Sequence, residues 1–247
     1  AAYIQGSGFH RYERKKMVQE IRKAEGEGRI LSHYGPEGNH LDKLETMFFQ
    51  YAATGTGQRR YYLHSREHAK SWGQEPGTLT PWENFEKNTD ILFYRGLHGG
   101  AVYENIDISQ YPDLLIGMVP GVNLEWIRKI SRDTTQRGYT AEEVRESIMS
   151  RMHDYVYHIT PQFARTHINI QMMAAVDTSD PFSINEMPIE DECFFIIHFQ
   201  RECMPVPNMK EIVKLIPKSF LSRPNMIVVP GGKLVHAIET ILMPPVH

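Results

Sequence analysis

Cysteine is scarce: the chain has two in 247 residues, Cys193 and Cys203, and no CxxC pair. That excludes a disulfide-stapled scaffold and a thiolate zinc centre, and a reducing, cytoplasmic setting is expected. No apolar run approaches the ~20 residues of a membrane span, and no secretory signal is visible, so no membrane partner is expected. A net charge of −3 carries no basic excess, and nothing global points to nucleic acid. Internal repeats and low-complexity tracts are absent. Three catalytic signatures are missing as well. There is no G-x-x-x-x-G-K followed by Ser or Thr, no G-x-S-x-G elbow and no H-E-x-x-H. Gly55-Thr56-Gly57 and Gly231-Gly232-Lys233 are the nearest glycine clusters; the first reads as a helix end and the second as a helix start. His64 and His68 flank Ser-Arg-Glu, and they would share a metal only on a helix. Tyr61-Tyr62-Leu63 before them reads as strand.

What is present centres on residues 112 to 140. Leu114 to Val119 is a buried strand, and Pro120-Gly121 stops it. A helix follows, with Val122, Trp126 and Ile130 as its apolar stripe. Lys129, Arg132 and Arg137 gather around Asp133 near its end. Two readings stay open from spacing alone. One is a solvated basic helix end, which the helix dipole favours; the other is a phosphate-handling site.

Further strands are expected at 2 to 5, 90 to 94, 193 to 199 and 226 to 229, with a β-prone run over 167 to 178. The spacing predicts helices from Arg14 to about Gly26, over 40 to 53, from a Thr140–Glu143 capping box through Tyr155, over 208 to 216 and over 234 to 242. Residues 33 to 39 and 71 to 90 read as loops. Apolar strands alternating with helices imply an α/β fold, a mostly parallel sheet flanked by helices. The strands are expected to share that one sheet.

A series of short motifs now becomes informative together: Gly-Ser-Gly-Phe-His-Arg at 6 to 11, Phe-Tyr-Arg-Gly-Leu-His-Gly at 93 to 99, Asn-Leu-Glu-Trp-Ile at 123 to 127, Arg-Asp-Thr-Thr-Gln-Arg-Gly-Tyr at 132 to 139, Thr-Pro-Gln-Phe at 160 to 163, Val-Asp-Thr-Ser at 176 to 179 and Ile-Val-Val-Pro-Gly at 227 to 231. In this order the chain resembles the bacterial phosphoribulokinases, including the phosphoribulokinase-like proteins of proteobacteria. The resemblance implies a P-loop kinase-like fold of the phosphoribulokinase and uridine kinase type. It implies phosphorylation of ribulose 5-phosphate, or a similar sugar phosphate, by ATP with Mg²⁺, to give ribulose 1,5-bisphosphate. A catalytically silent relative that binds a sugar phosphate or a partner subunit is the alternative. Self-association into a homo-oligomer is a further expectation of the family.

By the same resemblance, His10, Arg14, Tyr62, His64, His98, Lys129, Arg132 and Arg137 fall where the family binds its substrate, and Asp133 where it has a catalytic carboxylate near the metal. Ser7 stands where the family has an aspartate, its proton acceptor, and Arg95 where it has a glutamate of the metal site. A hydroxyl does not replace a general base, and a guanidinium repels a metal ion. The chain starts at Ala1 inside a strand. The 247 residues are therefore expected to be one phosphoribulokinase-like domain lacking the family's first strand, P-loop and helix, and to show no turnover unless these are supplied.

Overall fold

The computed structural model describes residues 1–86, 89–119, 121–183, 187–200 and 208–242. Pro120 and Cys203 lie outside the described residues. The chain divides into two compact units: Ala1–Asp113 with Ser150–Arg165, and Leu114–Met149 with Thr166–His247.

The first unit contains β1 (Ala2–Gln5), α1 (Arg14–Gly26), α2 (Leu41–Thr54), β2 (Gln58–Arg59), α3 (Arg66–Ser71), β3 (Glu83–Asn84), β4 (Leu92–Arg95), β5 (Val102–Tyr103) and β6 (Ile106–Asp107). In β1 the alternation is that of a half-buried strand: Ala2 and Ile4 are buried and Tyr3 is exposed. β1 and β4 pair in parallel, so their carboxyl ends lie side by side. The core joins Ile4 and Phe9 to Leu41, Leu44, Met47 and Phe48 of α2. These are the apolar positions that the helical spacing singles out, and burying each such side chain contributes about 1.5–3 kcal/mol. α2 ends at Gly55, whose φ of 67° is the left-handed cap that glycine adopts freely.

The second unit opens with β7 (Ile116–Val119) and α4 (Val122–Gln136), followed by α5 (Ala141–Asp154), whose residues from Ser150 on belong to the first unit. It continues with β8 (Ile168–Ala174), β9 (Cys193–Phe199), α6 (Met209–Leu215), β10 (Phe220–Arg223), β11 (Met226–Pro230) and α7 (Leu234–Leu242). Cys193, Phe195, Ile197 and Phe199 of β9 point into the core, alternating with partly buried neighbours. Ile212 of α6 and Ala237 of α7 join the core that these strands build.

The expectation of one mostly parallel sheet is corrected. β4 lies in a two-stranded sheet with β1, while β7 is the edge of a five-stranded sheet ordered β10-β11-β9-β8-β7. Within the latter only β7 and β8 are parallel; β8–β9, β9–β11 and β10–β11 are antiparallel. The physical reason is connection length. β7 reaches β8 through two helices, which a parallel crossover requires, whereas Pro224-Asn225 alone joins β10 to β11 and only an antiparallel hairpin closes so tightly. β10 was not expected, because its two apolar residues, Phe220 and Leu221, are followed at once by Ser222 and Arg223 and make too short a run to read as a strand.

Two local expectations also change. Strand β2 stops at Arg59, and beyond it Tyr62 makes only an isolated bridge to Leu79. Along α4 the buried apolar residues are Leu124 and Ile127, whereas Val122 is exposed.

Candidate active site

The predicted site residues fall into two groups, one in each unit. In the second unit the capping box forms as read: Thr140 N donates to Glu143 Oε2 at 2.7 Å, and Glu143 N donates back to Thr140 Oγ1 at 3.2 Å. It separates α5 from the end of α4, where Gly138 takes a φ of 75° just beyond the Arg137 cap. Helical spacing puts Lys129, Asp133 and Arg137 on one face. Lys129 Nζ lies 2.6 Å from Asp133 Oδ2; Arg132 Nε and Arg137 Nη1 lie 2.8 Å and 3.0 Å from Oδ1. The Asp133 side chain is 4% exposed, against 47% for Arg132 and 37% for Arg137, so the carboxylate is buried while its guanidinium partners reach solvent. Burial pushes the Asp133 carboxyl up, but the hydrogen bonds from Arg132 and Lys129 outweigh it and leave the pKa lowered.

A magnesium ion does not fit this carboxylate. Both oxygens already accept from cations, and an added divalent cation would meet three positive charges. Among the described residues no cluster of three His, Cys, Asp or Glu could hold a metal.

In the first unit, the turn Gly6–Phe9 follows β1 and leads to His10. Ser7 is partly buried in that turn, and Arg95 is exposed at the carboxyl end of β4. His10 stands edge-on to Tyr62, with ring centroids 5.4 Å apart, and Tyr62 packs on His64 at 4.7 Å. Arg14 Nη2 donates to His64 O at 3.1 Å. His10, Arg14, Tyr62 and His64 are therefore one contiguous group. His64 precedes the helix α3 that Ser65 caps, and His68 lies inside it, so the two are not a helical metal pair.

His98 is buried in the turn after β4, and its Nε2–H donates to Tyr34 O at 3.1 Å. Burial holds His98 down at about 4, so the ring is neutral near pH 7. Gln162 braces the same turn: its Nε2 donates to Leu97 O at 2.9 Å, and its Oε1 accepts from Gly100 N at 3.1 Å. These bonds join the Thr160 to Phe163 motif to the Gly-Leu-His-Gly turn.

Sequence reasoning missed three residues of this unit. Arg60 clamps the turn after β1, donating to Gly8 O at 2.7 Å and to His10 O at 2.6 Å while lying over the Trp82 ring. His33 stacks on His10 with centroids 4.0 Å apart. Burial, then the positive charge of His10 when protonated, lowers the His33 pKa to about 2. Asn39 is buried beside both. All three sit in segments whose sequence reads as loop or strand, and none carries a local signal of its partners.

Against this geometry the relatives can be weighed. A model of the phosphoribulokinase / uridine kinase family matches residues 1–179. The chain is 49% identical over 242 residues to a chromosomal phosphoribulokinase of Cupriavidus necator, covering 98% of this chain and 82% of that protein. It is 47% identical over 247 residues to a probable phosphoribulokinase of Escherichia coli K12, covering 100% of this chain and 85% of the relative. Among solved structures, a phosphoribulokinase from Rhodobacter spheroides superposes with a TM-score of 0.89 at 41% identity, covering 98% of this chain and 85% of that one. The chain belongs to the phosphoribulokinase / uridine kinase family.

Proposed function

We propose that this protein is a phosphoribulokinase, a phosphotransferase that moves the γ-phosphoryl group of ATP to an alcohol group of ribulose 5-phosphate and yields ribulose 1,5-bisphosphate. The observation that carries the reading is the cluster on α4. Three cations held by one buried carboxylate leave two positive charges at a helix end. That is the charge a sugar-phosphate dianion requires, and guanidinium groups recognise phosphate oxygens with matching geometry. Lys129, Arg132 and Arg137 are the proposed phosphate contacts, with Asp133 holding them in place. His10, Arg14, Tyr62, His64 and His98 are the proposed contacts of the first unit. The whole chain is read as one kinase-like domain working in the cytoplasm, and self-association is part of the proposal.

ATP and Mg²⁺ belong to the proposal through the family. Magnesium commonly enters kinases on the nucleotide phosphates with only one or two carboxylates from the protein. The alternative of a catalytically silent relative finds no support, since the relatives matched over nearly the whole chain are named phosphoribulokinases.

The test is ADP release coupled to a spectrophotometric assay, on protein expressed from its complete gene, with Mg·ATP and ribulose 5-phosphate. Turnover that needs both substrates is expected. Binding of ribulose 5-phosphate without turnover would return the silent relative to favour, and ADP release indifferent to the sugar phosphate would overturn the substrate.

A further inference from the structure

The histidine group of the first unit holds a detail that fixes its chemistry. His10 and Asn39 face each other across an isolated antiparallel bridge. Asn39 Nδ2 donates to His33 O at 3.0 Å and to Gly35 O at 2.8 Å. A backbone carbonyl can only accept, so these contacts force the amide nitrogen toward the loop and the amide oxygen toward His10. Asn39 Oδ1 lies 2.9 Å from His10 Nδ1. An amide oxygen can only accept in turn, so Nδ1 carries the proton. In the neutral ring Nε2 is then left with its lone pair.

The loop that sets Asn39 is itself held. Ser32 Oγ donates to buried Asp154 Oδ2 at 2.7 Å and accepts from Tyr34 N at 3.0 Å. Backbone bonds Arg11 N to Gly38 O at 2.8 Å and His40 N to Phe9 O at 2.7 Å tie it to the turn after β1. The ionisable groups around His10 are Arg60 along its backbone, His33 stacked on its face, Tyr62 at its edge and buried His98. None is a carboxylate, so nothing in this set rewards a charged ring. Burial, partly offset by the Asn39 bond and reinforced by Arg60, lowers the His10 pKa.

We propose that Asn39 is a positioning residue that locks His10 as the Nδ1–H tautomer, so that His10 meets a sugar hydroxyl as a hydrogen-bond acceptor through Nε2 and does not meet the phosphate as a cation. The tautomer stands on the hydrogen bonds alone; the hydroxyl rests on the phosphoribulokinase reading. This reassigns His10 from charge recognition, which its place among cationic motif residues suggests, to recognition of a neutral group.

Long-range ¹H–¹⁵N correlation spectra of the imidazoles in the full protein read the tautomer directly, with His10→Gln used for assignment. The expected result at neutral pH is a proton on Nδ1 and none on Nε2. An imidazolium or an Nε2–H ring in the unsubstituted protein overturns the proposal without recourse to any folding-sensitive variant. Asn39→Asp keeps the acceptor but adds a charge. It is expected to retain the tautomer and move the acid limb of kcat/KM to higher pH, an effect that a merely structural Asn39 would not produce. Ribulose 5-phosphate should shift the Nε2 resonance and inorganic phosphate should leave it in place. A phosphate-induced change to imidazolium overturns the hydroxyl assignment. Failure of ribulose 5-phosphate to bind in calorimetry removes the kinase reading and the hydroxyl role together, while the tautomer spectrum stays decisive for Asn39.

Discussion

The two groups of site residues solve recognition in opposite ways. On α4, charge is concentrated: one buried carboxylate gathers Lys129, Arg132 and Arg137, and its pKa falls because these partners overcome burial. Around His10, charge is removed. The histidines are stacked and buried without a carboxylate among the groups that face His10, and the pKa values of His10, His33 and His98 fall because burial penalises the imidazolium. A depressed pKa therefore means a retained charge in one group and a suppressed charge in the other. The first suits an anion, and the second suits neutral hydroxyls.

The pH dependence of stability should separate the two most sharply. For His98 the folded pKa of about 4 lies below its ordinary 6.5. The unfolded chain then binds a proton that the folded chain refuses, so stability falls as pH drops from 6.5 to about 4 and levels off below. The magnitude is roughly 3 kcal/mol. Urea titrations between neutral and acid pH should show this slope, and His98→Gln should lessen it by the His98 share while that of His33, held down at about 2, remains. Asp133 contributes in a different window: its stability is present above the ordinary 3.8 and is lost as pH falls through its lower folded value. A slope unchanged by His98→Gln would break the comparison.

Next in size is the effect of the cations on binding. Arg132→Ala or Arg137→Ala should weaken ribulose 5-phosphate binding about ten- to a hundredfold, since a hydrogen bond to a charged group is worth about 1.5–3 kcal/mol. Isothermal titration at two ionic strengths checks this, and the loss should shrink at high salt, where exposed charges are screened. Unchanged affinity in both variants would remove α4 from the site.

Asp133→Asn should cost about 1–2 kcal/mol of stability by thermal unfolding. That is less than a fully buried ion pair would lose, because Arg132 and Arg137 reach solvent and can rehydrate. Its phosphate affinity should fall further than its stability, as the three cations lose their common anchor. The smallest effect expected is that of Thr140→Ala, about 1 kcal/mol for loss of the helix cap. It is measured in the same unfolding experiment and leaves the His10 group untouched.

Much of this was legible from local order. The helix over Arg14 to Gly26, the apolar face of α2, the capping box at Thr140 and the strand Cys193–Phe199 all follow from periodicity and caps, which depend on neighbours a few residues away. The Lys129–Asp133–Arg137 group was readable for the same reason, since its spacing is one helical turn. Strand order was not. Whether β4 and β7 share a sheet, or β9 runs against β8, depends on the connections and on pairings between distant segments.

The amino-acid order by itself determined the family, most of the helices and which residues could carry charge on α4, because these reside in short motifs and in the 3.6-residue period. Only the tertiary structure decided what His10 is. Its ring meets Asn39 from 29 positions away and His33 across a loop, and Arg60 holds its backbone carbonyl from 50 positions away. Protonation state and tautomer follow from that company, because burial and hydrogen-bond direction are properties of space and not of the chain's order.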